Sequence, residues 1–282
     1  MAAQNQDGPG NKISVIATTQ GRFLEMATML YSVNRQGDTP IELVAGIQDS
    51  PVTADQLILA PQYDLVTVPL PKCSLSRARN ALLPHTTGNI IVLADDDSVY
   101  PEGLFPMVAA FFSAHPQCGV VICDWDKRTS QALPAKQTRQ QLLQRSPSYR
   151  LFFRRGALIE AGPFDENMGV GAPTPWQSGE ETDMLLRIFD TGHEIWRIST
   201  PPIKHPDPIV YTIIRPEKMT GYGHGRMYLL AKHRFPLWFK IVTIAYPLAA
   251  IGSDLMSAVA YIVPYRLRMF AARLTGFFRN FP

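Results

Sequence analysis

Cysteine is scarce in this chain: Cys73, Cys118 and Cys123 are the only three among 282 residues. Their odd number and the lack of any CxxC pair exclude a disulfide framework and a cysteine zinc site, and favour a reducing compartment. Nothing before Ile13 reads as a secretory leader, because Met1–Asn11 is polar, and a disordered lead-in is expected there. No clean run of about twenty apolar residues, as a membrane span needs, occurs; the most apolar stretch, Ile241–Pro264, is broken by Pro247, Gly252 and Asp254. Internal repeats are absent. What is present is globular: 46% hydrophobic and 18% charged residues, enough for one large domain or one domain with an appendage.

The net charge of +3 hides an asymmetry. Residues 208–282 hold ten Lys/Arg against two acids, a surplus of +8, which leaves −5 for residues 1–207. In the tail, Arg266, Arg268, Arg273 and Arg279 are interleaved with Tyr265, Phe270, Phe277 and Phe278. Cations beside apolar and aromatic surface suit a segment lying on an anionic membrane face. The other reading is a pair of helices packed on the body, or a subunit interface in a homo-oligomer. Nucleic-acid binding is disfavoured, since these cations accompany apolar sequence rather than a polar groove.

Apolar patterning predicts strands at Ile13–Thr19, Ile41–Ile47, Leu65–Val68, Asn89–Ala94, Cys118–Trp125, Arg150–Phe153 and Ile195–Ile198, with helices at Phe23–Asn34, Ser76–Leu83 and Leu104–Phe112. Gln131–Pro147 reads as a Gln-rich helix or loop. Alternating strand and helix implies a largely parallel sheet flanked by helices, with its active edge at the strand C-termini. The fourth strand runs straight into Asp95-Asp96-Asp97. Period-two alternation sends Asp95 and Asp97 to one side and Asp96 to the other, so two carboxylates converge in a site suited to Mg²⁺ or Mn²⁺. Helix capping is the competing explanation, with Asp97 or Ser98 as N-cap, Pro101 near N1 and Glu102 in the first turn; capping needs one carboxylate, not three.

A second acidic cluster, Glu180-Glu181-Thr182-Asp183, opens an apolar-periodic helix after a Gly-rich loop that holds Trp176. Acids in a first helical turn complement the macrodipole, and they also suit a catalytic edge. Trp176 is either a platform for an acceptor sugar ring or a buried anchor. Farther on, Gly221, Gly223 and Gly225 precede a cationic helix and read as a mobile phosphate-closing loop or a hinge; their spacing is not a dinucleotide fingerprint.

In this order the motifs resemble the family-2 glycosyltransferases, inverting GT-A enzymes that use nucleotide-sugar donors. The resemblance covers residues 12–207. It implies that Thr18-Thr19-Gln20-Gly21-Arg22 replaces the family's opening Pro-Thr-Tyr-Asn-Arg. It also implies that Asp49 recognises the nucleotide base, that Arg79 and Asn80 lie under the donor, and that Asp95-Asp96-Asp97 is the DXD motif. Phe152-Phe153-Arg154-Arg155 and Gly162-Pro163-Phe164-Asp165-Glu166 match the acceptor-side signature. Glu180-Glu181 matches the Glu-Asp pair that holds the catalytic base, and His205 the late metal-binding histidine.

The expectation is therefore a GT-A catalytic domain over 12–207 and a basic, apolar helical region over 208–282. Donor contacts fall on Thr18, Asp49, Arg79, Asn80, Asp95 and Asp96; metal ligands on Asp95, Asp97 and His205; the base on Glu181 or Glu180; acceptor contacts on Trp176 and Asp183. Mn²⁺ or Mg²⁺ and a UDP-, dTDP- or GDP-sugar follow from the resemblance, with a saccharide or lipid-linked acceptor at the inner face of the cell membrane, reached through residues 235–282. A nucleotidyltransferase would need a Gly-rich basic loop after the first strand, and a non-catalytic scaffold would not need the acids intact.

Overall fold

The computed structural model describes residues 12–49, 64–124, 133–144, 146–206, 216–256 and 260–280. The lead-in expected at residues 1–11 lies outside them, as do Ser50, Trp125 and residues 131–132. The chain divides into two units. The first comprises Met1–Cys73, Arg77–Phe164 and Met184–Pro206, and the second Ser74–Ser76, Asp165–Asp183 and Asp207–Pro282. Asp165–Asp183 groups with the C-terminal helices.

The strands of the first unit are β1 (Ile13–Thr19), β2 (Ile41–Gln48), β3 (Asp64–Leu70), β4 (Ile90–Asp95), β5 (Cys118–Asp124), β6 (Ala135–Lys136), β7 (Leu151–Arg154) and β8 (Glu194–Ser199). Helices α1 (Phe23–Val33), α2 (Leu75–Leu82), α3 (Leu104–Ala114), α4 (Arg155–Ala161) and α5 (Glu180–Asp190) alternate with them. The strands form one sheet in the order β3-β2-β1-β4-β7-β5-β8-β6. Strands β2 and β5 are buried at every position, which requires cover on both faces and explains their apolar runs Leu43–Ile47 and Val120–Cys123. Strand β3, at one end of the order, alternates and carries Pro69, as an edge strand can.

The sheet is less parallel than expected. Strand β7 runs antiparallel to both β4 and β5, and β6 antiparallel to β8. A short strand buried on both faces reads the same in either direction, so apolar patterning carried no sign of the reversal. Helix α3 also begins later than the capping reading requires: its N-cap is Gly103 at φ 79°, without a side-chain cap, so Pro101 and Glu102 precede it. The Gln-rich segment contributes the edge strand β6 and a single 3₁₀ turn at Gln141–Leu143, with Leu142 and Leu143 buried. On the core side Phe105 meets Tyr100 and Phe152 edge-to-face at 5.2 and 5.4 Å. Buried Glu42 ties the strand beginnings together, taking Lys12 Nζ at 2.8 Å, Thr87 Oγ1 at 2.6 Å and the Gly88 amide at 3.0 Å, with Ser14 Oγ donating as well. Burial works against its ionised form, but these donors outweigh it and hold the carboxyl at about 2.

The second unit is built on α6 (Pro216–Lys232), α7 (Leu237–Met256) and α8 (Val263–Arg279). The expected mobile loop or hinge at Gly221–Gly225 is corrected here: the segment is the interior of α6. Its glycines are there for close approach. A Cβ at Gly221 would lie 2.5 Å from Gln177 Cβ, and one at Gly225 2.4 Å from Ser178 O, both on one helix face. A Cβ at Gly223 would lie 2.4 Å from Ala272 Cβ on α8, and Gly276 of α8 receives His224 in the same way.

Two of the four tail arginines are committed internally. Arg266 makes a bidentate pair with Asp254, at 2.7 and 3.1 Å. Pro247 inside α7 cannot donate to the carbonyl of Thr243, and Arg273 Nη1 donates to that oxygen at 2.6 Å instead. Arg268 and Arg279 remain exposed, and α7 presents Leu237, Trp238, Ile241, Val242 and Tyr246 to solvent. Among the described residues no helix is long and apolar enough to cross a membrane.

Candidate active site

In the first unit, Thr18, Asp49 and Asp95 all sit at the C-terminal ends of neighbouring strands, the edge where open α/β sheets bind ligands. Thr18 pairs in register with Asp95. Asp49 follows β2 with φ 48°, a conformation its short polar side chain tolerates, and its Oδ1 accepts the Lys72 amide at 3.1 Å.

Strand β4 ends at Asp95, and Asp96 and Asp97 form a turn closed by Ser98, whose amide and hydroxyl donate to Asp95 O at 3.0 and 2.7 Å. The convergence of Asp95 and Asp97 thus arises in a turn rather than from the strand pleat. His205 joins them, because the bridge between Val99 and Lys204 brings its backbone alongside. Its Nε2 lies 3.1 Å from Asp97 Oδ1 and 3.4 Å from Asp95 Oδ2. Its Nδ1 faces Pro206 O at 2.8 Å, which requires a donor there and leaves Nε2 for the carboxylates. Tyr149 stacks on the imidazole at 4.5 Å, and Ser148 Oγ donates to Asp95 Oδ1 at 2.8 Å, so both ligand candidates are held from behind.

The electrostatics agree with a cation site. Burial works to lower the His205 pKa, but Asp95 and Asp97 outweigh it and raise it to about 10. Burial likewise opposes ionisation of Asp97, yet His205 and Arg22 hold it at about 2. Candidate ligand atoms of Asp95, Asp97 and His205 lie within 4.8 Å of one another. Asp97 Oδ1 is buried with His205 Nε2 beside it. Two carboxylates and one imidazole within this span fit a Mn²⁺- or Mg²⁺-type ion.

Asp96, expected at the donor, is turned inward. It is 2% exposed and forms a fork with Arg22, whose Nε is 3.1 Å from Oδ2 and whose Nη2 meets Oδ1. Burial raises its pKa to about 6 even against Arg22. Arg22 also reaches Asp97 Oδ2 at 2.7 Å. Sequence reasoning gave Arg22 no role, because 74 residues separate it from Asp96. Arg79 is buried with its guanidinium 5.6 Å over the Phe164 ring. Asn80 brackets the Phe164 backbone, donating to its carbonyl at 2.9 Å and accepting its amide at 2.8 Å. Arg79 and Asn80 therefore secure the start of the Gly-Pro-Phe-Asp-Glu segment.

In the second unit, Glu180 and Glu181 open the first turn of α5. Glu180 is 3% exposed and packs on Gly169 beside Ser76, while Glu181 is half-buried and more accessible. The loop before them is closed by Gly169 N to Trp176 O at 2.9 Å and by Gln177, which takes the Gly171 amide at 2.9 Å and donates to Ala172 O at 2.7 Å. Trp176 is half-buried and stacked on Tyr228 at 3.7 Å, an aromatic pair rather than a lone platform. Asp183 does not face outward. It is fully buried and bound by Lys232 at 2.8 Å and His233 at 2.9 Å, which corrects its expected acceptor contact to an internal ion pair.

The sheet and its carboxylate edge define a mixed α/β protein of the GT-A type. The family model for glycosyl transferase family 2 matches residues 14–168, more than half of the sequence, and the chain belongs to that family. Among solved structures it is similar to mannosyltransferase PcManGT from Pyrobaculum calidifontis in complex with GDP-Man and Mn²⁺, at 19% identity and TM-score 0.59, covering 95% of this chain and 86% of that one. It is also similar to S. aureus TarS 1–349, at 15% identity and TM-score 0.54, covering 94% and 89%. A third is glucosyl-3-phosphoglycerate synthase from Mycobacterium tuberculosis in complex with Mg²⁺ and UDP, at 17% identity and TM-score 0.56, covering 80% and 81%. At these identities the likeness is one of fold. No curated protein matches the sequence.

Proposed function

We propose that the protein transfers a sugar, with inversion, from a nucleotide-diphosphate donor to an acceptor hydroxyl. The observation that carries this reading is the convergence of Asp95, Asp97 and His205 at the sheet edge beside Thr18 and Asp49. Asp95, Asp97 and His205 would hold Mn²⁺ or Mg²⁺, whose charge stabilises a leaving diphosphate. Thr18 and Asp49 take the nucleoside end of the donor, while Arg22 keeps Asp96 and Asp97 in place. The complexes of the mannosyltransferase with GDP-Man and Mn²⁺ and of the synthase with Mg²⁺ and UDP support a nucleotide donor and a divalent ion.

Inversion at the anomeric carbon is a single displacement, so the acceptor hydroxyl must lose its proton as it attacks. Glu181 is the base on this reading, since it is more accessible than Glu180 in the same turn. Trp176, backed by Tyr228, borders the acceptor. The acceptor is a saccharide or a lipid-linked one at the inner membrane face, and the apolar face of α7 supports that location: Trp238 and Tyr246 flank aliphatic residues and no acid is exposed on it.

The test is a pair of isosteres assayed by nucleotide release with a membrane lipid extract as acceptor source. Glu181→Gln should lower turnover about 10²-fold or more at unchanged donor affinity, with Glu180→Gln milder. The reverse ranking would move the role to Glu180, and full activity in both would remove the base from this account.

A further inference from the structure

The second unit contains an ion-pair network around the buried Asp183 that the transfer chemistry does not itself require. Helix α6 presents Tyr228 and Lys232 on its last turns, and His233 follows directly after it. Lys232 Nζ lies 2.7 Å from Asp165 Oδ2 and 2.8 Å from Asp183 Oδ1, so one ammonium is shared by two carboxylates. Asp165 opens the loop of this unit and Asp183 stands in the first turn of α5 that ends it. Tyr228, one turn earlier, donates to Asp165 Oδ2 at 3.2 Å and stacks on Trp176 within the loop. His233 holds Asp183 Oδ1 at 2.9 Å, and the Asp183 amide donates to Gly179 O at 2.8 Å. Both ends of the loop are thus gripped from the end of α6 and the residue that follows it.

From this geometry we infer that Lys232 is a positioning residue for the catalytic turn: by holding Asp183 to Asp165 it fixes the direction in which Glu180 and Glu181 leave the helix start. The inference rests on the proposal that this turn supplies the base. Asp183 is the lever, because its side chain has no exposure and its backbone belongs to the same turn as the two glutamates. A base must sit within hydrogen-bond reach of its proton, and a misplacement of about 1 Å can cost about 10² in rate. A merely stabilising ion pair would protect folding without affecting turnover per folded molecule.

The experiment separates these roles with three variants of the full chain, read as kcat, donor KM and thermal midpoint for the nucleotide sugar the protein turns over. Lys232→Met takes one of its two cationic partners from the buried Asp183 carboxylate, so it is accompanied by Lys232→Met/Asp183→Asn, which removes that buried charge. Lys232→Met should lower kcat at least tenfold with donor KM within about twofold, and Lys232→Arg should recover most of it. The double variant should regain thermal midpoint but not kcat. Recovery of kcat together with stability in the double variant, or a loss confined to the thermal midpoint, overturns the inference. If Glu181→Gln or Glu180→Gln is inactive while the double variant is fully active, only the role of Lys232 fails; if neither glutamate variant loses turnover, the base reading falls and this inference with it.

Discussion

Gly225→Ala and Gly252→Ala make the same chemical change in two helices of one unit, and the structure predicts opposite signs. In an open helix position alanine is favoured over glycine by about 1 kcal/mol. Gly252 in α7 has nothing within 4 Å of its missing Cβ, so Gly252→Ala should gain about that amount. At Gly225 the same Cβ would lie 2.4 Å from Ser178 O and 2.8 Å from Ser178 N, backbone atoms that cannot swing aside as a side chain would. Overpacking costs about 1–3 kcal/mol, enough to offset the propensity gain and leave Gly225→Ala net destabilising. The two variants should then differ by about 2 kcal/mol, or about 4–8 °C in melting temperature for a domain of this size. Scanning calorimetry of both variants beside the parent provides the comparison. Equal stabilisation of both would mean that α6 does not pack on residues 177–178 and that the glycines form the hinge suggested by their spacing alone.

Two further outcomes follow from the charges and the exposed surface. Glu42, held near 2 instead of its ordinary 4.5, contributes stability that is fully present above about pH 4.5 and is lost as pH falls towards 2. At 1.36 kcal/mol per unit of pKa this is about 3 kcal/mol, so Glu42→Gln should melt several degrees lower at pH 7, with the gap narrowing below pH 4.5; a gap independent of pH would refute the ionic account. On α7, Trp238→Ser with Ile241→Ser should abolish co-sedimentation with lipid vesicles. Because Arg266 and Arg273 are engaged with Asp254 and Thr243, that binding should weaken little between low and high salt. A parent protein that ignores vesicles and is a stable dimer would assign the face to a second copy.

Much of the first unit was legible because buried parallel strands are continuous apolar runs, and because three acids after such a run are more than helix capping needs and point to a sheet edge. What escaped the sequence depends on tertiary approach. The glycines of α6 looked like a loop because glycine weakens an isolated helix, and only their neighbours Gln177, Ser178 and Ala272 explain their place inside one. Asp183 looked like an outward acid because its partners, Lys232 and His233, lie about fifty residues away, at a separation of 50 for His233. Arg273 looked like a surface cation, and the carbonyl that it serves is stranded by a proline on another helix. In each case the residue type was plain and the partner was not.

The central claim is that Asp95, Asp97 and His205 hold a divalent ion needed for turnover of a nucleotide sugar. Its most direct measurement is nucleotide release from a panel of UDP-, dTDP- and GDP-sugars by the parent and by Asp97→Asn, each with Mn²⁺, with Mg²⁺ and with a chelator. The account predicts turnover of at least one donor by the parent, restored by metal after chelation, and at least about 10²-fold lower in Asp97→Asn, since removing one charge-stabilising group typically costs that much. Equal turnover with and without metal, or an Asp97→Asn variant as active as the parent, would contradict it.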